Sequence, residues 1–144
     1  MSIREALASD AQAWARLRAQ LWPDCPLERH ELEVALLARS AGVVALAVRA
    51  GEPVGFAEVS IRADHVEGTS STPVPYLEGW YVAAAHRRRG IGTALLEFVE
   101  AWARKRGYRE IASDAELDNE ASILLHGRRG FAEVGRTVHF VKTL

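Results

Sequence analysis

Residues 74–102, VPYLEGWYV followed by AAAHRRRG and IGTALLEFVEAW, constrain the fold more than any other stretch of the chain. An apolar segment broken by Gly79 runs into His86 and three arginines, and then into Gly90-Ile91-Gly92. From Ile91 onward Leu95, Phe98, Val99 and Trp102 recur on one helical face. A glycine inside a strand marks a bulge or a close approach. The stretch therefore predicts a bulged strand, a basic glycine loop and the start of an amphipathic helix. The first amides of a helix lack internal partners, and the helix dipole adds partial positive charge there. Gly90 and Gly92 leave the backbone open, and Arg87, Arg88 and Arg89 add cationic charge. Such a loop suits a phosphate or pyrophosphate; a solvated basic turn is the plainer alternative. It is not a P-loop, because no Gly-Lys-Ser/Thr ending follows, and it lacks the third glycine of a dinucleotide fingerprint.

A chain of 144 residues fits one domain, 1–144, with a single core. A net charge of −1 argues against nucleic acid as a partner. The N-terminus carries charges where a signal peptide is apolar, and no apolar run approaches the ~18 residues that span a bilayer. The lone Cys25 sits in a proline-flanked turn, forms no internal disulfide and suits a reducing cytoplasm. Its turn is expected to lie far from the motifs. The histidines lack ligand spacing, so no metal is implied.

Elsewhere SIREA predicts a short strand, and Ser9 or Asp10 caps a helix with Trp14, Leu17 and Leu21 on one face. LERHELEVALLARS predicts a second helix. VVALAVRA and PVGFAEVSIR predict a hairpin around Gly51–Pro53. REIASD predicts a strand, DNEASILLHGRR a helix capped by Asp118 or Asn119, and FAEVGRTVHFVKTL two closing strands with a turn near Gly135. The expected class is α+β, a mixed, mostly antiparallel sheet flanked by helices.

Acidic residues gather at predicted strand ends and loops: Glu78 at the strand interruption, Asp114 after the next strand, then Asp64, Glu67, Glu116 and Asp118. A cleft lined by them favours a polycationic acceptor, and Trp22 offers a face for a ring. Solvated surface acids and a core tryptophan are the alternative.

Arg87-Arg88-Arg89-Gly90-Ile91-Gly92 resembles the Arg/Gln-x-x-Gly-x-Gly/Ala motif of the GCN5-related N-acetyltransferases (GNAT), and DNEASILLHGRRGF resembles that family's Asn-x-x-Ala/Ser-x-x-Leu-Tyr-x-x-x-Gly-Phe segment. The resemblance implies the acyl-CoA N-acyltransferase fold with a bulged central strand. It also implies acetyl-CoA as cosubstrate, its pyrophosphate on the loop through Thr93. The family often has tyrosine where this chain has His126, which would then protonate the departing thiolate. The plainer reading makes Asn119 a helix cap and His126 an ordinary polar residue.

LRAQLWPDCP, GFAEVSIRADHVEG, PYLEGWYV and REIASDAELDN resemble segments of the aminoglycoside 6′-N-acetyltransferases. That likeness implies antibiotic contacts at Trp22, Glu78 and Asp114, main-chain contacts to the acetyl-CoA arm at Trp80, Tyr81 and Val82, and a CoA contact at Asn119. His65 replaces a loop tyrosine and is expected as a further substrate contact, and Gly135 stands where some members have glutamate, with Glu133 nearby. A homodimer is implied too. The expected chemistry is direct attack in a ternary complex. The Val82 N–H stabilises the oxyanion, and Glu78 either accepts the amine proton or only holds the ammonium. Acetylation of a polyamine, peptide or lysine, and a non-catalytic acetyl-CoA-binding regulatory module, are the competing expectations.

Overall fold

The computed structural model describes residues 1–144. In chain order the elements are β1 (Ser2–Glu5), α1 (Ala11–Leu21), α2 (Leu27–Leu37), β2 (Val43–Arg49), β3 (Glu52–Arg62), β4 (Val74–Val82), α3 (Ile91–Lys105), β5 (Ala112–Ser113) and α4 (Glu120–Arg128). The strands form one sheet in sequence order, antiparallel throughout except for the parallel β4–β5 pair. This is the α+β arrangement expected from the sequence.

Each face of the sheet is covered by the helices whose apolar stripes the sequence displays. On one face Ile91, Leu95, Val99 and Trp102 of α3 pack on Val43, Ala45, Ala57, Val59 and Leu77. Leu95 and Val99 are completely buried, each stabilising the fold by about 2 kcal/mol. On the other face Trp14 and Leu17 of α1 and Val34 of α2 close over Leu46 and Phe56. The predicted hairpin forms with Ala50 and Gly51, both at positive φ, as its turn; this geometry matches the twist of paired strands.

The break at Gly79 is a bulge. Val59 pairs with Leu77 and Glu58 with Gly79, leaving Glu78 as the extra residue on β4. Beyond Leu77, β4 has no partner on its other side, because β5 pairs only Ala112 with Tyr76 and Ser113 with Leu77. A gap therefore opens between β4 and β5 beside the bulge.

One expectation fails. Residues 132–144 form no strand, and the last backbone hydrogen bond runs from Phe131 N–H to His126 O. Val134 lies against Gly68, and Arg136 pairs with Glu133, so the segment follows the loop after β3 instead of the sheet. A hairpin gains stability from a neighbouring strand or an apolar face, and this segment has neither: Phe140 and Val141 are 92% and 98% exposed.

Candidate active site

A cleft of about 1060 Å³ lies between the α1–α2 connection and the bulge. Its carboxylates are Asp24, Glu33, Glu58, Glu78, Glu116 and Asp118, and its one permanent cation is Arg18. That imbalance attracts cations.

Glu78 is held firmly. It accepts from Ser60 Oγ at 2.6 Å and from Arg62 Nε and Nη2 at 2.9 and 2.8 Å. The bond to Glu78 pushes the Arg62 guanidinium further into its charged form. Arg62 stacks 3.4 Å from the Tyr76 ring centroid, and Tyr76 Oη donates to Asp114 Oδ2 at 2.6 Å. Burial, and then the bond to Asp114, push the Tyr76 hydroxyl well above the usual phenol range, so it stays a donor. The two predicted carboxylates are thus connected through Arg62 and Tyr76. Asp114 itself is exposed at the end of β5.

Behind Trp22 lies a buried polar network. Glu58, 2% exposed, accepts from Trp14 Nε1 at 2.7 Å and from Arg18 Nη1 at 2.5 and 2.6 Å. Burial pushes the Glu58 carboxyl upward, and the Arg18 cation opposes that. Arg18 also pairs with Glu33 and donates through Nε to His30 Nδ1 at 3.3 Å. His30 Nε2–H in turn donates to the Trp22 carbonyl at 3.1 Å. The Trp22 ring sits between the His30 ring, stacked at 6.3 Å, and the Arg18 guanidinium at 4.8 Å. This aromatic wall of the cleft is fixed on three sides, with Phe56 at 6.2 Å.

The opposite side of the bulge presents main-chain donors. Ala83 N–H donates to Val54 O at 2.9 Å. Antiparallel ladders alternate, so Val82 and Trp80 fall in non-bonded pairs with Gly55 and Ala57, and their N–H groups face away from β3 into the gap. Arg87 Nε occupies the Val82 carbonyl at 2.8 Å and leaves the amide free of that contact. Trp80 Nε1 donates to Gly92 O at 2.8 Å, tying strand to helix. The Tyr81 side chain turns to the other face, where its hydroxyl meets Gln20. The Tyr81 main-chain N–H and C=O, alternating with those of Trp80 and Val82, face Phe56 of β3, so the main-chain contact expected of Tyr81 does not open into the gap.

Arg88 at φ +63° and Gly90 at φ +76° curl the loop into α3. No side chain caps α3, and its first internal bond is Ala94 N–H to Gly90 O. The Ile91, Gly92 and Thr93 amides are therefore open to an anion, beside the exposed Arg88 and Arg89. The Ile91 side chain is core, so only its amide contributes. On α4, Asn119 Oδ1 caps the helix by accepting from Ser122 N–H at 3.1 Å. His126 lies against Trp80 and Phe131, its Nε2 2.9 Å from Ser113 Oγ.

Of the acidic residues expected to line the cleft, Glu78, Glu116 and Asp118 do, while Asp64, Glu67 and Asp114 lie outside it; two further placements also differ from expectation. The His65 side chain is 81% exposed, 3.7 Å from Glu67, and lies outside the acidic cleft. Cys25, expected to be remote, lines the cleft, because the proline-flanked turn brings α1 back over the bulge. Sequence reasoning missed Arg18, Glu58, Ser60, Arg62, Tyr76 and Ser113. For three of them a signal existed: Glu58, Ser60 and Arg62 alternate along β3, a polar row on one face of an apolar strand.

Open amides at a helix start, a gap beside a bulged strand and an acidic cleft across it define an acyl-CoA-dependent N-acyltransferase site. The chain belongs to the Acetyltransferase (GNAT) family, whose model matches residues 4–131. It is 48% identical over 140 residues to an aminoglycoside N(6')-acetyltransferase type 1 of Stenotrophomonas maltophilia, covering 96% of this chain and 91% of that one. It is 42% identical to the Klebsiella aerogenes protein of the same name, covering 99% and 96%. Among solved structures it resembles AAC(6')-Iy in complex with the bisubstrate analogue CoA-S-monomethyl-acetylneamine, with TM-score 0.91, 34% identity and coverage of 99% and 98%.

Proposed function

We infer that this chain, as one domain of 1–144, transfers the acetyl group of acetyl-CoA to the 6′-amino group of aminoglycosides. The observation that carries this reading is the two-sided bulge. Glu78 meets an acidic cleft on one side, while the amides of Trp80 and Val82 open into the β4–β5 gap on the other. Amine and thioester would meet there without a covalent enzyme intermediate, and positioning would supply much of the rate.

The chain's residues divide the work. The amides of residues 90–93 and the side chains of Arg88 and Arg89 hold the pyrophosphate, and the Asn119 amide nitrogen reaches the CoA arm. The Val82 N–H bonds the thioester oxygen and stabilises it as charge develops. Glu78 and Asp114 hold ammonium groups of the acceptor, and Trp22 stacks on its ring. Arg62 already fills much of the accepting capacity of Glu78, which favours the holding role over proton abstraction. An aminoglycoside's several ammonium groups match the excess of cleft carboxylates.

The finer assignments are a cytoplasmic enzyme that binds neither nucleic acid nor membrane and acts as a homodimer. No helix is long and apolar enough to cross a membrane. Pairing with a second copy is supported by the unpaired segment 132–144, whose exposed Val138, Phe140 and Val141 have strand-forming character. Light scattering on the intact chain tests that assignment, and a monomer would remove it.

The function is tested by following CoA release from acetyl-CoA with kanamycin, neamine, spermidine and a lysine peptide as separate acceptors. Turnover confined to the aminoglycosides is expected. Turnover only with spermidine or the peptide would overturn the acceptor, and none at all would favour a regulatory module.

A further inference from the structure

Glu78 is the carboxylate at the bulge, and its accepting capacity is nearly filled from within the chain. An ionised carboxylate offers about four lone-pair positions on its two oxygens. Ser60 Oγ and Arg62 Nε donate to Oε1 at 2.6 and 2.9 Å, and Arg62 Nη2 donates to Oε2 at 2.8 Å. The position left is on Oε2, and the charge of the group is already matched by the guanidinium. A primary ammonium brings three donors and a full charge of its own. It cannot bond both Glu78 oxygens while Arg62 keeps its two-bond fork.

Arg62 also stands where a ligand reaching from Glu78 to Asp114 must pass. Ser60 pairs with Tyr76 across β3 and β4, and Arg62 with Val74, so Ser60, Arg62 and Tyr76 share one face of the sheet. The guanidinium carbon lies over the Tyr76 ring, 3.4 Å from its centroid, and the hydroxyl of that ring donates to Asp114 Oδ2. Glu78 and Asp114 both favour the charge on Arg62. Unlike the buried Arg18–Glu58 pair, this one is half open, with side chains 41% and 30% exposed. An ion pair so exposed is held by roughly a factor of five or less. It can be exchanged for another cation without breaking the core.

We propose that Arg62 is a specificity-determining residue, the chain's own cation in the acceptor's ammonium position, which the acceptor must displace from Glu78. The proposal rests on the acetyltransferase reading above and deepens it. Binding at Glu78 is then an exchange of one cation for another. The freed guanidinium turns toward Asp114 or into water, while Ser60 keeps hold of Glu78. A ligand whose only contact is one ammonium gains nothing from such an exchange. One that adds a ring against Trp22 and further ammonium groups for Glu116 and Asp118 still binds. Arg62 thus rejects simple amines by competition, with no steric barrier.

The test is Arg62→Met, which keeps a stem over Tyr76 and removes the charge and the donors. Neamine Kd by calorimetry and neamine KM are expected to fall about fivefold, the factor an exposed ion pair supplies. The inhibition constant of spermidine should fall with them. Arg62→Lys keeps the cation without the fork and should lie between the Met variant and the wild type. Acetyl-CoA Kd should stay within about twofold, because its loop lies across the bulge. In the wild-type chain, NMR should show the Arg62 Nε–H exchanging faster with water once neamine is bound. Neamine that binds the Met variant no better than the wild type, or an Nε–H that neamine leaves protected, overturns the displacement while leaving acetyl transfer intact. A wild-type chain that acetylates no amine overturns the underlying reading and the displacement with it.

Discussion

Substituting Gly79 by alanine separates the two halves of the site. A Cβ there would lie 2.7 Å from Trp22 Cη2, 3.0 Å from Phe56 Cε2 and 3.3 Å from Trp22 Cζ2. Carbon atoms pack at about 3.5 Å or more, so the indole must retreat by roughly 0.8 Å. It has little freedom to do so, because His30 stacks on it and Arg18 covers it. The backbone is not the obstacle, since Gly79 is not among the positive-φ residues. Overpacking of this kind costs about 1–3 kcal/mol. If that cost falls on the acceptor wall, the acceptor KM rises by roughly 5–150-fold at 1.4 kcal/mol per factor of ten. The acetyl-CoA side faces the other way, and its Kd should stay within about twofold. Initial rates with neamine, together with calorimetry of acetyl-CoA binding, read both quantities. Adding Trp22→Phe removes the clashing ring atoms and should recover part of the loss. An unchanged acceptor KM with weakened acetyl-CoA binding would refute the assignment of Trp22 to the acceptor wall.

Three further outcomes are expected. Glu58→Ala removes the fully buried one of the two carboxylates on Arg18, leaving it only Glu33, and leaves Trp14 Nε1 without its acceptor; it should destabilise the fold by about 2–4 kcal/mol in urea unfolding, whereas Arg18→Met with Glu58→Met should lose less. Gly90→Ala meets no neighbouring atom but holds φ +76°. The left-handed strain, about 1–2 kcal/mol, should relax the loop and weaken acetyl-CoA binding at least about fivefold by calorimetry. Asp10 is held below the usual carboxylate range by its bond to Arg4 and then by the Leu7 amide. Its contribution is therefore present above the unfolded value near ~3.9 and lost as pH falls through the lower folded value. Asp10→Asn should cost roughly 1 kcal/mol at pH 7 and progressively less as pH falls below ~3.9, read from thermal melts across that range.

The anion loop was legible because every part of it is local: Gly90, the arginines and the α3 stripe are consecutive in sequence, and periodicity places them. Gly79 was legible as a bulge for the same reason. Its partner Trp22 is legible only as an aromatic at a helix end, and what holds it there is not. Arg18 reads as one more helical arginine until β3 brings Glu58 beneath it, 40 residues away. Arg62 and Tyr76 likewise meet Glu78 and Asp114 only across the β3–β4 and β4–β5 pairings. Ser113 carries no sequence signal at all, since its contacts with Leu77 O and His126 form only where β5 ends beside α4. The C-terminal hairpin was misread for the opposite reason. Its local pattern is strand-like, but pairing needs a neighbour, and the described chain supplies only two residues of β5 at that edge.

The most direct test of the central claim compares neamine with paromamine, which carries a hydroxyl in place of the 6′-amine, as acceptors of acetyl from acetyl-CoA. The account predicts CoA release and a singly acetylated product by mass spectrometry with neamine, and neither with paromamine. Equal turnover of the two, with acetyl found on another ring nitrogen, would contradict it.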